Sequence, residues 1–512
     1  MTSADDSDVG TGTAPYDQVV DGRAVAHDAL ADVSLGGSSA FPVDVLGDAN
    51  APDGDVGQRE TATKIQTRVV PSARPQKLPT AGTATTGSVT TGTATVGSPP
   101  AARHGWRRVA IDTRPLRHPA YRRMFVGSAT SFFGTQLTAV AVPVQMYAMT
   151  KSNAWVGVLG VGGLVPLLIF SLWGGALADR LDRRRLLLVS STLMWLVTLS
   201  LLAQAVLKVN SPWLLLGLVA VQSAAVAVTM PTRSAIIPRI VPADEMAQAN
   251  TLNFTMSNVA TVAGPLLAGV LIGAGGGVFW AYAADALTFT VALWAALRLP
   301  AMPPVGEVSD KRGGWSDVMF GLRYLGTTPV LLLSFAVDIA AMALALPRAL
   351  FPAVAANEFH GGVGWLFSAI AIGAVVAGVS SGWVARVRHQ GTALICAVVA
   401  WGIAVAAAGL AHQLWLVVIF LAVGGAADLV SSVYRQTMLL TYAPDELRGR
   451  LQGVFTAVVA GGPRLGDLRA GLTASAAGTT TAWVGGGIAA SVVAILIGLC
   501  FPALRRYTAT NR

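Results

Sequence analysis

Cysteine is nearly missing from this chain. Cys396 and Cys500, the only two in 512 residues, both stand in apolar runs and supply neither a disulfide framework nor a zinc-ligand set. Both are expected to be small buried hydrophobes. Histidine is as sparse: His27, His104, His118, His360, His389 and His412 all fall in the N-terminal tail or in short loops. With none inside an apolar segment, a histidine metal centre or a histidine-based hydrolase at membrane depth is disfavoured. Charge is scarce too. Asp, Glu, Lys and Arg make up 12% of the residues, about half the share in a soluble domain, which is too little polar surface to coat soluble domains.

What the chain has instead is apolar length. With 53% apolar residues and a mean hydropathy of +0.58, it reads as a polytopic membrane protein. Stretches near 20 residues recur at 124–147, 154–178, 186–207, 212–231, 250–273 and 278–298, then at 329–351, 362–384, 392–411, 414–433, 451–474 and 479–502. Each is long enough to cross about 30 Å of hydrocarbon. The expected fold is therefore all-α, with twelve transmembrane helices in two six-helix bundles, 116–299 and 329–503. A cytoplasmic connector, 300–328, joins them; it carries Glu307, Asp310, Lys311 and Arg312 and a short interfacial helix over Trp315–Leu325. Residues 1–115, including the run TAGTATTGSVTTGTATVGSPP (Thr80–Pro100), have no apolar periodicity and read as a disordered, low-complexity tail, and 504–512 as a short second tail. No signal peptide opens the chain.

The net charge of +9 does not point to nucleic acid, because the basic residues are scattered at span ends. They are instead topology signals. Arg180, Arg183, Arg184 and Arg185, Arg233 and Arg239, Lys311, Arg312 and Arg323, Arg386 and Arg388, and Arg448 and Arg450 fall on the tail's side, with little beyond Lys151 and Lys208 opposite. Both termini are expected in the cytoplasm. Few lysines against many arginines, with abundant Ala, Val and Gly, suggest a high-GC bacterium and so its plasma membrane.

The halves repeat. RSAIIPRIVPADEM (Arg233–Met246) follows span 4 and RQTMLLTYAPDELR (Arg435–Arg448) follows span 10, so Arg233 matches Arg435 and Pro242 matches Pro444 at an offset of 202 residues. Each segment is read as starting with an arginine at the membrane edge. Internal repeats around a midplane site are how secondary transporters are commonly built.

Between spans 2 and 3 stands GGALADRLDRRRLL (Gly174–Leu187). It resembles the signature loop of the major facilitator superfamily, G-x-x-x-D-R-x-G-R-R, with Gly175, Asp179, Arg180, Arg183 and Arg184 on the motif positions and Asp182 where the second glycine would be. The second-half counterpart, GWVARVRHQG (Gly382–Gly391), has Arg386 in place of the acid. In span 5, SNVATVAGPLLAG (Ser257–Gly269) resembles the antiporter motif G-P-x-x-G-G through Gly264, Pro265 and Gly269, with Ala268 for one glycine. Span 4 as delimited lacks the intramembrane arginine of drug:proton antiporters. Further phrases, among them PLRHPAYRRMFVGSATSFFGTQLT, ADALTF, VDIAAMALALPRALFPA and PDELRGRLQGVF, resemble the enterobactin (siderophore) exporter and macrolide-efflux branch over about 114–505.

The resemblance implies a small-molecule exporter that exchanges cargo for protons by alternating access, with spans 1, 4, 7 and 10 lining a central cavity. Its partners would be a small-molecule substrate, protons and the lipid bilayer, and it would act as a monomer with no cofactor and no enzymatic chemistry. No loop of the form G-x-x-x-x-G-K-[ST] occurs to bring in ATP. An uptake facilitator of the same fold and a non-transporting sensor are the competing readings. The candidate cavity residues are Gln136 and Gln145, Gln222, Asp338 and Asp428, because a polar group at bilayer depth is costly and so a functional candidate by default. Asp338, near the midplane, is the first choice for carrying the proton. Asp285 in span 6 is a weaker third acid. Span 11 holds Arg464, Asp467 and Arg469. The first two share a helix face and can pair; a cationic lining for an anionic cargo is the alternative. Arg348, at the outer end of span 7, is expected to snorkel to the interface.

Overall fold

The computed structural model describes residues 112–303, 315–444 and 447–508. Most of the N-terminal tail, the connector residues Glu307, Asp310, Lys311 and Arg312, and the last four residues lie outside the described residues. All regular structure among the described residues is helical. The first six long helices are α1 (Pro119–Thr150), α2 (Asn153–Arg180), α3 (Arg183–Val206), α4 (Pro212–Ile240), α5 (Met246–Leu271) and α6 (Val278–Leu297). After α7 (Trp315–Thr327) come α8 (Pro329–Ala345) and α9 (Phe351–Asn357), which together make the seventh span. Then follow α10 (Val363–Val379), α11 (Gln390–Leu410), α12 (Leu414–Tyr442), α13 (Arg448–Ala477) and α14 (Thr479–Cys500).

Among the described residues, ten spans are long and apolar enough to cross a membrane by length and composition. The other two have local reasons for falling short. Helix α10 has only 17 residues and is continued by a 3-10 turn, Ser381–Arg386. Helix α13 runs for 30 residues but carries Arg464, Asp467 and Arg469 in its second half. Helices α4 and α12 are each 29 residues long and stand at the same offset of 202 as the arginine repeat. The seventh span is broken because Leu346 precedes Pro347 and is held extended, at φ −68° and ψ 119°.

Two sequence expectations change with the environment. Cys396 and Cys500 are exposed on the outside of the helices; in a bilayer an apolar run can face lipid, so apolarity does not imply burial. Arg233 lies inside α4, because that helix continues past residue 231 to Ile240.

The two halves meet at one end. Helix α2 packs on α13 and α5 on α10, over segments near the α1–α2 and α11–α12 level rather than near the chain termini. The hydrogen bonds crossing between the halves among the described residues are Asn153 Nδ2 to Thr479 Oγ1 at 3.5 Å, Ala154 N to Ser475 Oγ at 3.0 Å, Asn357 Nδ2 to the Tyr147 hydroxyl at 2.8 Å and Ser368 Oγ to the Val262 carbonyl at 2.8 Å. Glycine makes this approach possible. A Cβ on Gly157 would lie 2.6 Å from the Asp467 carbonyl, and one on Gly269 would lie 2.8 Å from Gly364 Cα.

Gly157→Val should therefore wedge this end apart. In a protein with Cys396 and Cys500 replaced by serine, disulfide cross-linking between A154C and S475C should fall several-fold when the valine is added. Unchanged cross-linking would show that the seam tolerates the extra atoms.

Candidate functional site

A cavity of about 500 Å³ lies between the halves, within the range of small-ligand pockets. Helices α1, α2, α4 and α5 line it from the first half; the Arg348 turn, α10 and α13 line it from the second. Of the expected cavity residues, Gln136 and Gln222 are on the wall, while Gln145, Asp338 and Asp428 are not. Gln145 is buried behind it and accepts a hydrogen bond from the Tyr282 hydroxyl at 2.7 Å.

The charged lining comes from elsewhere. Arg348, Arg464 and Asp467 are its ionisable residues. Arg348 thus faces the cavity rather than snorkelling outward, because the break after α8 turns the chain inward there. Arg464 and Asp467 share a face of α13 yet form no ion pair within 4 Å among the described contacts. The Nη1 of Arg464 and the Oδ1 of Asp467 are buried without hydrogen-bond partners, as is the Nε2 of Gln222. Arg469 is turned away and does other work: it donates to the Ala343 carbonyl at 3.3 Å, to the Ala482 carbonyl at 2.9 Å, and to the Leu344 carbonyl. Those of Ala343 and Leu344 are freed where α8 stops short.

Away from the cavity, the second half holds a buried charge triad. Asp338, on α8, is 2% exposed and pairs with Arg435 Nη1 from α12. The other guanidinium nitrogen of Arg435 lies 3.9 Å from Asp428, two turns earlier on the same helix. Arg435, by sequence the arginine at the membrane edge after span 10, is 4% exposed and central to the triad, since α12 runs on to Tyr442 and places it about two turns inside. The repeat supplied the missed signal: an arginine kept at one offset in both halves is not a loop residue by chance. In the first half the matching Arg233 donates to Ser131 Oγ of α1 at 2.9 Å, so a hydroxyl stands where the second half has a carboxylate.

Asp285 on α6 is fully buried and accepts from Thr138 Oγ1 at 2.5 Å and Thr198 Oγ1 at 3.1 Å, tying α6 to α1 and α3. In the signature loop, Gly175, Asp179 and Arg180 belong to α2, with side chains outside the described residues. Only Leu181 and Asp182 separate α2 from α3. Asp182 caps α3 by accepting from Arg185 N at 3.0 Å and also accepts from Met302 N at 3.0 Å, so the residue that departs from the motif is a helix cap. Arg183 donates to the Ala235 carbonyl at 2.8 Å and Arg184 to the Leu297 carbonyl at 2.7 Å. In α5, Gly264 lets Gln136 approach, while Pro265 and Gly269 face Gly364.

A family model described as a transmembrane secretion effector matches residues 111–511. The enterobactin exporter EntS of Shigella boydii serotype 18 is 30% identical over 405 residues, covering 77% of this chain and 94% of that protein. The enterobactin exporter EntS of Citrobacter koseri is 31% identical over 400 residues, covering 76% and 94%. Among solved structures, the nucleoside transporter NupG aligns at a TM-score of 0.61 and 13% identity over 76% of this chain and 99% of that one. A bacterial homolog of the human lysosomal transporter Spinster, inward-facing and unoccupied, aligns at 0.60 and 16% identity, over 77% and 97%. At such identities these structures speak for the fold alone.

The triad is tested by removing its cation. Arg435→Gln leaves the buried Asp338 without a counter-charge, while the part-exposed Asp428 still faces Arg348, and should cost about 3–5 kcal/mol of stability. Adding Asp338→Asn should restore a large part of the loss, read as the melting temperature in detergent. Additive losses would show that the two side chains act independently.

Proposed function

This chain belongs to the transmembrane secretion effector family, multi-pass membrane transporters of the major facilitator superfamily, and on that premise we propose that it exports a siderophore-like or drug-like molecule by alternating access driven by inward proton movement. The observation that carries the reading is the cavity shared by two halves that, among the described residues, pack together toward one end. A cavity so placed opens to one side at a time when the halves rock about it. The relatives' names supply the export direction. The cavity is complete within one chain, which supports action as a monomer.

The arginine asymmetry between loops supports a topology with both termini in the cytoplasm of a bacterial cell and the sealed end outward. The state described is then inward-facing. In the outward-facing state the terminal end must close, and Asp179, at the end of α2 beside Arg180, is the residue assigned to pair across the halves there. Gly264, Pro265 and Gly269 let α5 bend and slide against α10 during that change.

Proton coupling falls to the triad. A proton taken up by Asp338 neutralises its carboxylate and breaks the pair with Arg435. The freed guanidinium then has Asp428 within reach at 3.9 Å. Loss of the proton reverses the exchange. The two pairings form a bistable element between α8 and α12, whose populations a proton gradient can bias. Asp338 acts on the cavity through these helices and not as a wall residue.

Reconstituted flux decides the matter, with the enterobactin named for the relatives as the first cargo to try. Proteoliposomes with an imposed pH gradient should accumulate cargo. Asp338→Asn, unable to ionise, should lose gradient-driven accumulation while keeping passive exchange. Undiminished accumulation by that variant at several pH values would overturn the assignment, and cargo binding without any flux by the unmodified protein would turn the transporter into a sensor.

A further inference from the structure

Deepening the transport reading and resting on it, we infer that the cargo presents an anionic group, held in the cavity between Arg464 of the second half and Gln222 with Ser223 of the first. The wall carries two arginines and one aspartate among largely apolar groups; Asp428, off the wall, also faces Arg348, which leaves Arg464 as the arginine on the wall with a buried nitrogen that no protein group meets. A charge so placed is costly unless something of opposite sign shares the space.

The donors converge. Gly163 of α2 marks the spot, for a Cβ built there would lie 2.8 Å from Ser223 Oγ and 3.5 Å from Arg464 Nη1. The absence of a side chain at that position brings a guanidinium nitrogen of one half close to a hydroxyl of the other. The adjacent Gln222 adds an amide nitrogen, and both it and Arg464 Nη1 lack protein partners despite burial. Guanidinium, hydroxyl and amide all donate, and the fixed fork of the guanidinium suits the planar oxygens of a carboxylate or an acidic phenol pair. Cations are disfavoured by the same two arginines.

Asp467 limits the grip. One helical turn from Arg464 and facing Arg348 as well, it offsets part of the positive field without satisfying the Arg464 nitrogen. An anion is therefore attracted but not trapped. Because its donors sit on both halves, the site is assembled only when α2, α4 and α13 are together, so bound anion favours the state closed at the seam. That difference in affinity between the two states is what lets a cargo bias their equilibrium.

Binding tests this without flux. The full chain in lipid nanodiscs is dialysed against 1-naphthoate and against 1-naphthamide, which has the same shape and no charge. Naphthoate should bind about tenfold more tightly, as a charge-assisted contact to arginine requires. Arg464→Gln should erase the preference, Arg464→Lys should keep its sign while weakening it, and Asp467→Asn should tighten naphthoate alone. A purely structural arginine gives none of these charge signatures. Equal binding of the two probes, no binding of naphthoate, or a preference that survives Arg464→Gln overturns the inference. The unmodified protein alone decides between the first two outcomes, whatever the folding of the variants. Flux failing while the anion preference holds refutes the transport reading only; flux without the preference refutes only this one.

Discussion

Hydrocarbon has no hydrogen bonds to give, and the organisation of this protein follows from that one fact. Each backbone group or charge carried to membrane depth must find its partner within the chain. In the first half, arginines meet carbonyls where α6 ends, Arg184 that of Leu297 and Arg123 that of Arg298, while Arg183 reaches that of Ala235, five residues before the end of α4. The first two contacts also place positive charge where a helix dipole ends negative. Deeper in, Asp285 is met by two threonine hydroxyls and Asp338 by Arg435. The polar side chains left unmatched by the protein cluster in part where the cavity is, at Gln222, Arg464 and Asp467. Asp285 Oδ1 and Arg435 Nε lack partners as well, so what sets Gln222, Arg464 and Asp467 apart is that their unmatched atoms belong to residues on one cavity wall.

The two halves share geometry and not chemistry. Helices α4 and α12 have the same length and carry an arginine at the same register, but Arg233 meets a serine and Arg435 meets two carboxylates. The first half thus holds a cation with a neutral partner that has no second state to offer. The second holds one cation between two acids, an arrangement with two alternative pairings. The repeated frame carries a neutral partner for its arginine in one half and two acids in the other. Asp467, on the cavity wall of the same second half, adds to that imbalance.

Hydropathy makes most spans legible to within a few residues, because the thickness of the bilayer sets their length, but it ends spans 4 and 10 nine residues early. It cannot say which way each charged residue faces around its helix. Asp338 and Asp428 are off the cavity wall, and Arg348, an interfacial residue by its place at the span end, faces the cavity after the proline break. Arg435 was misjudged for a related reason: an apolar window ends at the first charge, whereas the helix does not. Helix α13 shows the converse, since its charges lower its average hydropathy although they lie against protein. The loop motif is recognisable from residue type alone, as is the local cap that Asp182 makes on Arg185 N, whereas its second contact, from Met302 N, is 120 residues away and leaves no mark in the sequence.

The broken seventh span has a mechanical consequence. A helix interrupted by proline is ordinarily a soft joint, free to flex wherever its carbonyls are loose. Here Arg469 clasps the carbonyls of Ala343 and Leu344 on one side of the break and that of Ala482 on α14, binding three helices into one rigid strut. The loose carbonyls at the end of α8 are thereby taken up by neighbours within the same half and are not left to water or lipid. Between the halves the closest approaches are instead of backbone on backbone, at glycines, which have no side chain to tie one helix to the next.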